Sequence, residues 1–113
     1  MSDCIFCQII AGQIPSVKVY EDERILAFRD VNPAAPVHVL FIPKRHFANL
    51  GEMTPADQEL LGHLLNVIGR EAPGLGLADG YRVVSNCGEP AGQTVGHMHF
   101  HVLGGRDLLW PPG

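Results

Sequence analysis

Long apolar runs are missing from these 113 residues; none approaches the roughly 20 residues needed to cross a bilayer. Excess positive charge is missing too. Eight Lys and Arg stand against twelve Asp and Glu, a net charge of −4, whereas a domain that grips a nucleic-acid backbone normally carries a basic patch. Neither a membrane nor a nucleic acid is therefore expected as a partner. A single phosphate remains within reach, because backbone amides and a few placed side chains suffice to hold one. The three cysteines are too few for a disulfide framework and cannot all pair within one chain. The start, Met1-Ser2-Asp3-Cys4-Ile5-Phe6-Cys7, lacks the basic segment and small-residue cleavage site of a signal peptide. A cytoplasmic protein is expected. There is no internal repeat, low-complexity tract or linker, and a composition 46% hydrophobic and 18% charged argues against disorder. One domain spanning residues 1–113 is expected.

What is present reads as a short α+β chain. Cys4, Ile5, Phe6 and Ile9 fit a helix that stops at Gly12. Val17–Glu21 and Ile25–Arg29 flank the polar Asp22-Glu23-Arg24 and predict an antiparallel hairpin. Val37–Ile42 is apolar enough for a buried strand ending at Pro43. The clearest helix runs from Pro55 to about Ala72, with Thr54 as cap and Asp57 completing a variant capping box. Its apolar stripe (Leu60, Leu61, Leu64, Leu65, Val67, Ile68) covers about 160° of arc, broader than one sheet contact requires, which leaves room for a partner subunit. Tyr81–Asn86 and Met98–Leu103 predict two further strands around a glycine-rich loop. The order implies an antiparallel sheet of about five strands with two helices.

Chemistry concentrates in His97-Met98-His99-Phe100-His101. Side chains alternate along a strand, so the three imidazoles share one face in a row about 13 Å long, while Met98, Phe100 and Val102 face the core. Such a row fits a metal site, a chance surface cluster or nucleophilic chemistry. A neutral imidazole attacks phosphorus well when its other nitrogen is hydrogen-bonded, and its neighbours can donate to phosphate oxygens. The loop upstream adds backbone amides at Gly92, Gln93, Thr94 and Val95 and the Thr94 hydroxyl. Cys4 and Cys7 lie one helical turn apart, as two thiolates on one tetrahedral zinc would, or they are buried small hydrophobes. Cys87 reads as structural. His63 reads as solvated on the polar helix face, and Lys44 and Arg45 as solvated charges near the mouth of the site that could steer anions.

The segment Gly92-Gln93-Thr94-Val95-Gly96-His97-Met98-His99-Phe100-His101-Val102-Leu103 resembles the motif of the histidine-triad superfamily, three histidines alternating with apolar residues. Gly104-Gly105-Arg106 and Trp110-Pro111-Pro112-Gly113 resemble its HINT branch, the nucleotide-binding phosphoramidases. So do Asp30, Asn32-Pro33-x-Ala35-Pro36-x-His38, Ile42-Pro43-Lys44 and Gly80-Tyr81-Arg82-Val83-Val84-x-Asn86. The resemblance implies a homodimer with one sheet continued across the subunits, and hydrolysis of purine nucleoside 5′-phosphoramidates, nucleotidyl-lysine included. It makes His99 the nucleophile of a nucleotidyl-histidine intermediate. His101 and Thr94 would hold the phosphate and assist the leaving amine, although that hydroxyl is usually serine in the branch. His38 would orient the site, Asp30 would hold the ribose, Val31 would pack near the base and Asn86 would reach the phosphate or ribose. Trp110 would reach the partner's site, where Asp107-Leu108-Leu109 depart from the pattern and bear on leaving-group preference.

Members with the N-terminal Cys-x-x-Cys resemble a zinc-binding pattern completed here by His46 and His97. That zinc would be structural, with no cofactor needed for catalysis, and it would remove His97 from phosphate binding. Three other readings stand beside this one: a dinucleoside polyphosphate hydrolase, a nucleotide-binding regulator whose hydrolysis is incidental, and a catalytic zinc centre built on the histidine row.

Overall fold

The computed structural model describes residues 3–113. Its elements are α1 (Ile5–Ile10), β1 (Lys18–Glu21), β2 (Ile25–Arg29), β3 (Val37–Pro43), α2 (Gln58–Glu71), β4 (Tyr81–Val84) and β5 (Phe100–Gly104). The five strands form one antiparallel sheet in the order β1-β2-β3-β5-β4. An α+β fold with two helices and a five-stranded antiparallel sheet is thus what the chain adopts.

Both faces of the central strands are covered, which explains why β2 and β3 read as continuous apolar runs and not as alternation. On one face Ile25, Ala27, Val39, Phe41, Phe100 and Val102 pack against Leu64, Val67 and Ile68 of α2. On the other, Leu26, Phe28, Leu40 and Ile42 pack against Phe6 and Ile9 of α1. Each such side chain contributes about 1.5–3 kcal/mol when fully buried. The two helices therefore hold the sheet between them, and α1 defines the face on which the histidines gather.

Local chemistry sets the ends of the elements. Asp22 Oδ1 accepts from the Arg24 and Ile25 amides at 2.8 Å each, closing the β1–β2 turn. Asp57 Oδ2 accepts from the Thr54 amide at 2.9 Å, and the predicted helix start resolves into a 3₁₀ turn, Pro55–Asp57, before α2. Likewise the end is a 3₁₀ turn, Ala72–Leu75, closed by Gly76 at φ 85°. Leu65 stays 44% exposed, so the sheet takes only part of the apolar stripe. β5 begins at Phe100, two residues later than expected, because Met98 leaves the strand register to donate its amide to Phe47 O at 2.7 Å. No described helix is long and apolar enough to cross a membrane.

Candidate functional site

β5 carries His101 and, just ahead of it, His99 and His97, while β3 brings His38 alongside. Register pairs Leu40 with His101 on one side and with Phe28 on the other. A cleft of about 320 Å³ opens on this face. Phe28 and Leu40 line it beneath, Phe6 and Ile9 of α1 wall one side, and Asp30, Thr94, His99 and His101 supply polar groups. An apolar body with convergent polar groups is the usual build of a small-molecule site. Val31, 90% exposed, sits at its rim.

The protons of the histidines can be traced from partners that can only donate or only accept. His99 Nδ1 lies 2.6 Å from His97 O; a carbonyl only accepts, so Nδ1 carries the proton and the neutral ring keeps its lone pair on Nε2. The Ala34 amide donates to His38 Nδ1 at 3.0 Å, which leaves the His38 proton on Nε2. That Nε2 faces His101 Nδ1 at 2.9 Å and Asp30 Oδ2 at 3.4 Å. His101 therefore accepts at Nδ1 and holds its own proton on Nε2. Burial lowers the His38 pKa against the pull of Asp30. Burial, with the neighbouring His99 and His38, holds His101 down to about 4. Two nitrogens of opposite character, a bare His99 Nε2 and a His101 Nε2–H, thus arise on adjacent rings 4.9 Å apart.

His97 belongs to a different cluster. Its Nε2–H donates to Pro43 O at 2.9 Å, so the lone pair is on Nδ1. Nδ1 lies 3.4 Å from Cys4 Sγ, 3.6 Å from Cys7 Sγ and 3.1 Å from His46 Nδ1; Cys7 Sγ to His46 Nδ1 is 3.3 Å. All four donor atoms fall within 4.8 Å of one another. A tetrahedral zinc with bonds of about 2.3 Å to sulfur and about 2.0–2.1 Å to nitrogen has ligand–ligand edges of about 3.3–3.8 Å. The residues fit that group: two soft sulfurs, two imidazole nitrogens and a His97 tautomer already turned for ligation. Asp30, His38 and His101 also converge, but the proton on His38 Nε2 fills the space between the rings.

Other residues singled out from the sequence lie elsewhere or do different work. Gln93 spans the loop, accepting from the Gly88 amide and donating to Ala48 O and Val95 O, so its side chain braces the backbone. Gly92 stands at φ 92°, a conformation that favours glycine. Thr94 and Val95 reach the cleft. Asn86 lines a separate hollow on the far side of His101, with His38, Arg82 and Arg106. Trp110 is 82% exposed. His63 is not simply solvated: its Nε2 meets Asp22 Oδ2 at 2.7 Å. Lys44 and Arg45 pair with Glu21 and Asp57 at 2.8 and 3.1 Å. Two contributors carry no signal in their residue type. They are Phe6, edge-on to His99 at 5.1 Å, and the Ala34 amide that sets the His38 tautomer.

Against this geometry the comparisons are decisive. The HIT domain family matches residues 11–108. The chain belongs to the HIT domain family. It is 57% identical to an uncharacterised HIT-like protein of Synechococcus elongatus over 98% of this chain and 97% of that one. Among solved structures, a HIT family hydrolase from Legionella pneumophila superposes with TM-score 0.95 at 47% identity, covering 98% of this chain and 100% of that chain. A histidine triad nucleotide-binding protein from Candida albicans superposes with TM-score 0.81 at 39% identity, covering 88% and 73%. As in the sequence pattern of the HIT family, the histidines alternate with buried apolar residues, here Met98, Phe100 and Val102.

Proposed function

We propose that this HIT protein is a hydrolase of purine nucleoside 5′-phosphoramidates that acts through a nucleotidyl-histidine intermediate. The observation that carries the reading is the clamp of His97 O on His99 Nδ1 at 2.6 Å, which presents Nε2 as a nucleophile at the edge of a nucleoside-sized cleft. The nucleoside lies over Phe28 and Leu40 with Asp30 at the ribose and Val31 beside the base. His101 Nε2–H donates to the phosphoryl oxygens, where charge builds in the transition state, and the Thr94 hydroxyl and the amides of residues 92–95 share that task. As the bond from His99 Nε2 to phosphorus forms, the P–N bond breaks and the amine departs with a proton from solvent. Water then attacks the same phosphorus and releases the nucleoside monophosphate. His38 Nε2–H points His101 by donating to its Nδ1, and burial with the neighbouring His99 and His38 favours the neutral ring against the pull of Asp30.

Cys4, Cys7, His46 and His97 would hold a zinc, which when bound would supply a cross-link between α1 and the approach to β5. The protein works as a homodimer. Tyr81 and Val83 on the edge strand β4, and Leu65 on α2, are exposed apolar residues suited to a partner copy. Trp110 reaches the partner's site from there.

The test is turnover of adenosine 5′-phosphoramidate beside diadenosine triphosphate. His99→Ala is expected to lose turnover by roughly a thousandfold or more while AMP still binds. Turnover that survives in the variant refutes the nucleophile, and a marked preference for diadenosine triphosphate replaces the substrate class.

A further inference from the structure

We infer that Phe6 is a positioning residue linking the Cys4–Cys7–His46–His97 cluster to the nucleotide cleft, so that a divalent cation and a nucleoside monophosphate bind cooperatively. The inference rests on the cation and nucleotide readings just proposed and adds an energetic coupling between them.

α1 is only six residues long, and so short a helix has little stability of its own. Its backbone hydrogen bonds run locally, from the Gln8 amide to Cys4 O and from the Ala11 amide to Cys7 O. Side chains are therefore what seat it on the sheet: Phe6 and Ile9 against Leu26, Phe28, Leu40 and Ile42, and the two sulfurs against the imidazoles of His46 and His97. Phe6 stands between those sulfurs in the chain and points at the reaction. Its ring meets His99 edge-on at 5.1 Å and 89°, His97 at 5.9 Å and Phe28 at 5.5 Å. With Ile5 and Ile9 it also forms the helical wall of the cleft.

Without a cation, contacts between side chains join the cluster: His46 Nδ1 to His97 Nδ1 at 3.1 Å, Cys4 Sγ to His97 Nδ1 at 3.4 Å and Cys7 Sγ to His46 Nδ1 at 3.3 Å. A cation replaces them with bonds from all four donors to one centre and fixes the start of α1. Phe6 then holds the His99 ring from the side while His97 O holds it at Nδ1. Its loss releases α1, and the cleft wall and the nucleophile's neighbour move together. Whatever stabilises the seated α1 for one ligand stabilises it for the other, and linkage makes the effect equal in both directions. A cation that merely stabilised the whole fold would couple to nucleotide without regard to Phe6, and this separates the two explanations.

The experiment titrates AMP calorimetrically into zinc-loaded and chelator-stripped protein, and measures zinc affinity by chelator competition with and without saturating AMP. Cobalt substitution, read from its thiolate charge-transfer absorption, reports occupancy of the cluster. AMP affinity is expected to fall by about 5- to 150-fold on stripping, the usual range of such coupling, with zinc affinity rising by the same factor when AMP is present. In Phe6→Ala the cobalt spectrum should persist while the coupling factor falls close to one; Phe6→Leu, which keeps bulk without the ring edge, should fall between. Equal AMP affinity in loaded and stripped wild-type protein overturns the inference. So does an equal factor in wild type and Phe6→Ala, the result expected if stripping simply unfolds the chain. Protein that retains no cation refutes the cluster reading and the coupling with it, whereas AMP failing to bind in every form refutes the nucleotide reading.

Discussion

Histidine roles here are decided by single hydrogen bonds. His97, His99 and His101 are the same residue type at alternate positions, yet carbonyl acceptors hold His97 at Nε2 and His99 at Nδ1. His101 receives from His38 instead. One faces the two cysteine sulfurs and His46, one keeps a bare Nε2 and one presents an Nε2–H. The His101 pKa has a consequence for stability. Its folded value is held down to about 4 from 6.5, chiefly by burial, so between those values the unfolded chain binds a proton that the folded chain refuses. Stability is full above pH of about 6.5 and falls as pH drops toward about 4. Denaturant midpoints of zinc-loaded protein across this window should drop more steeply for wild type than for His101→Gln; parallel curves would contradict the assignment. Ser16 offers a second check at this scale. Its Oγ is buried and hydrogen-bonded to no described residue, so Ser16→Ala should leave the thermal midpoint unchanged or raise it slightly, within about 1 kcal/mol.

At the level of elements, β5 is the member that tolerates least. Gly104 pairs with Val37 and Tyr81, and a Cβ there would overlap Leu77 Cδ2 and lie 3.0 Å from Gly80 O. Gly104→Ala is expected to cost about 1–3 kcal/mol by overpacking, measured by chemical denaturation, with the loss in β4–β5 pairing. The hairpin turn is held from outside as well as from within. Asp22 binds its own turn amides, Tyr20 Oη–H donates to it at 2.7 Å, and His63 reaches it from α2. Burial opposes ionisation there, yet these hydrogen bonds hold the carboxyl well below the usual range. Helix α2 was legible in its stripe and its Thr54–Asp57 start, as were β2 and β3 in their apolar runs. The start of β5 was not. Alternation alone predicts a strand through all three histidines, but Met98 is taken out of register by Phe47 O, a contact 51 residues away in the chain.

Over the whole molecule, two predictions concern what holds the fold together. Because a bound cation stabilises the folded state by mass action, chelation should lower the thermal midpoint, and each tenfold excess of zinc should restore about 1.4 kcal/mol. A midpoint insensitive to zinc and chelator alike would dismiss the cluster. Tyr81 and Val83 on the edge strand β4, and Leu65 on α2, are exposed apolar residues. If the proposed dimer uses them, Val83→Lys should shift sedimentation toward the monomer with little change in far-UV circular dichroism; an unchanged mass would contradict that interface.

Residue types and their order were enough to determine the α+β class, the antiparallel sheet, the histidine alternation and the Cys-x-x-Cys spacing, because these depend on side-chain period and local chemistry. Tertiary structure alone decided the rest. It seated Phe6 against His99 and gave His38 its tautomer through the Ala34 amide, while His46, already named by the family resemblance, came to lie beside two sulfurs 39 and 42 residues distant. It also turned Gln93 into a loop brace and paired His63 with Asp22. A proton's position on an imidazole depends on which carbonyl or amide folding brings within 3 Å, and no period in a sequence encodes that.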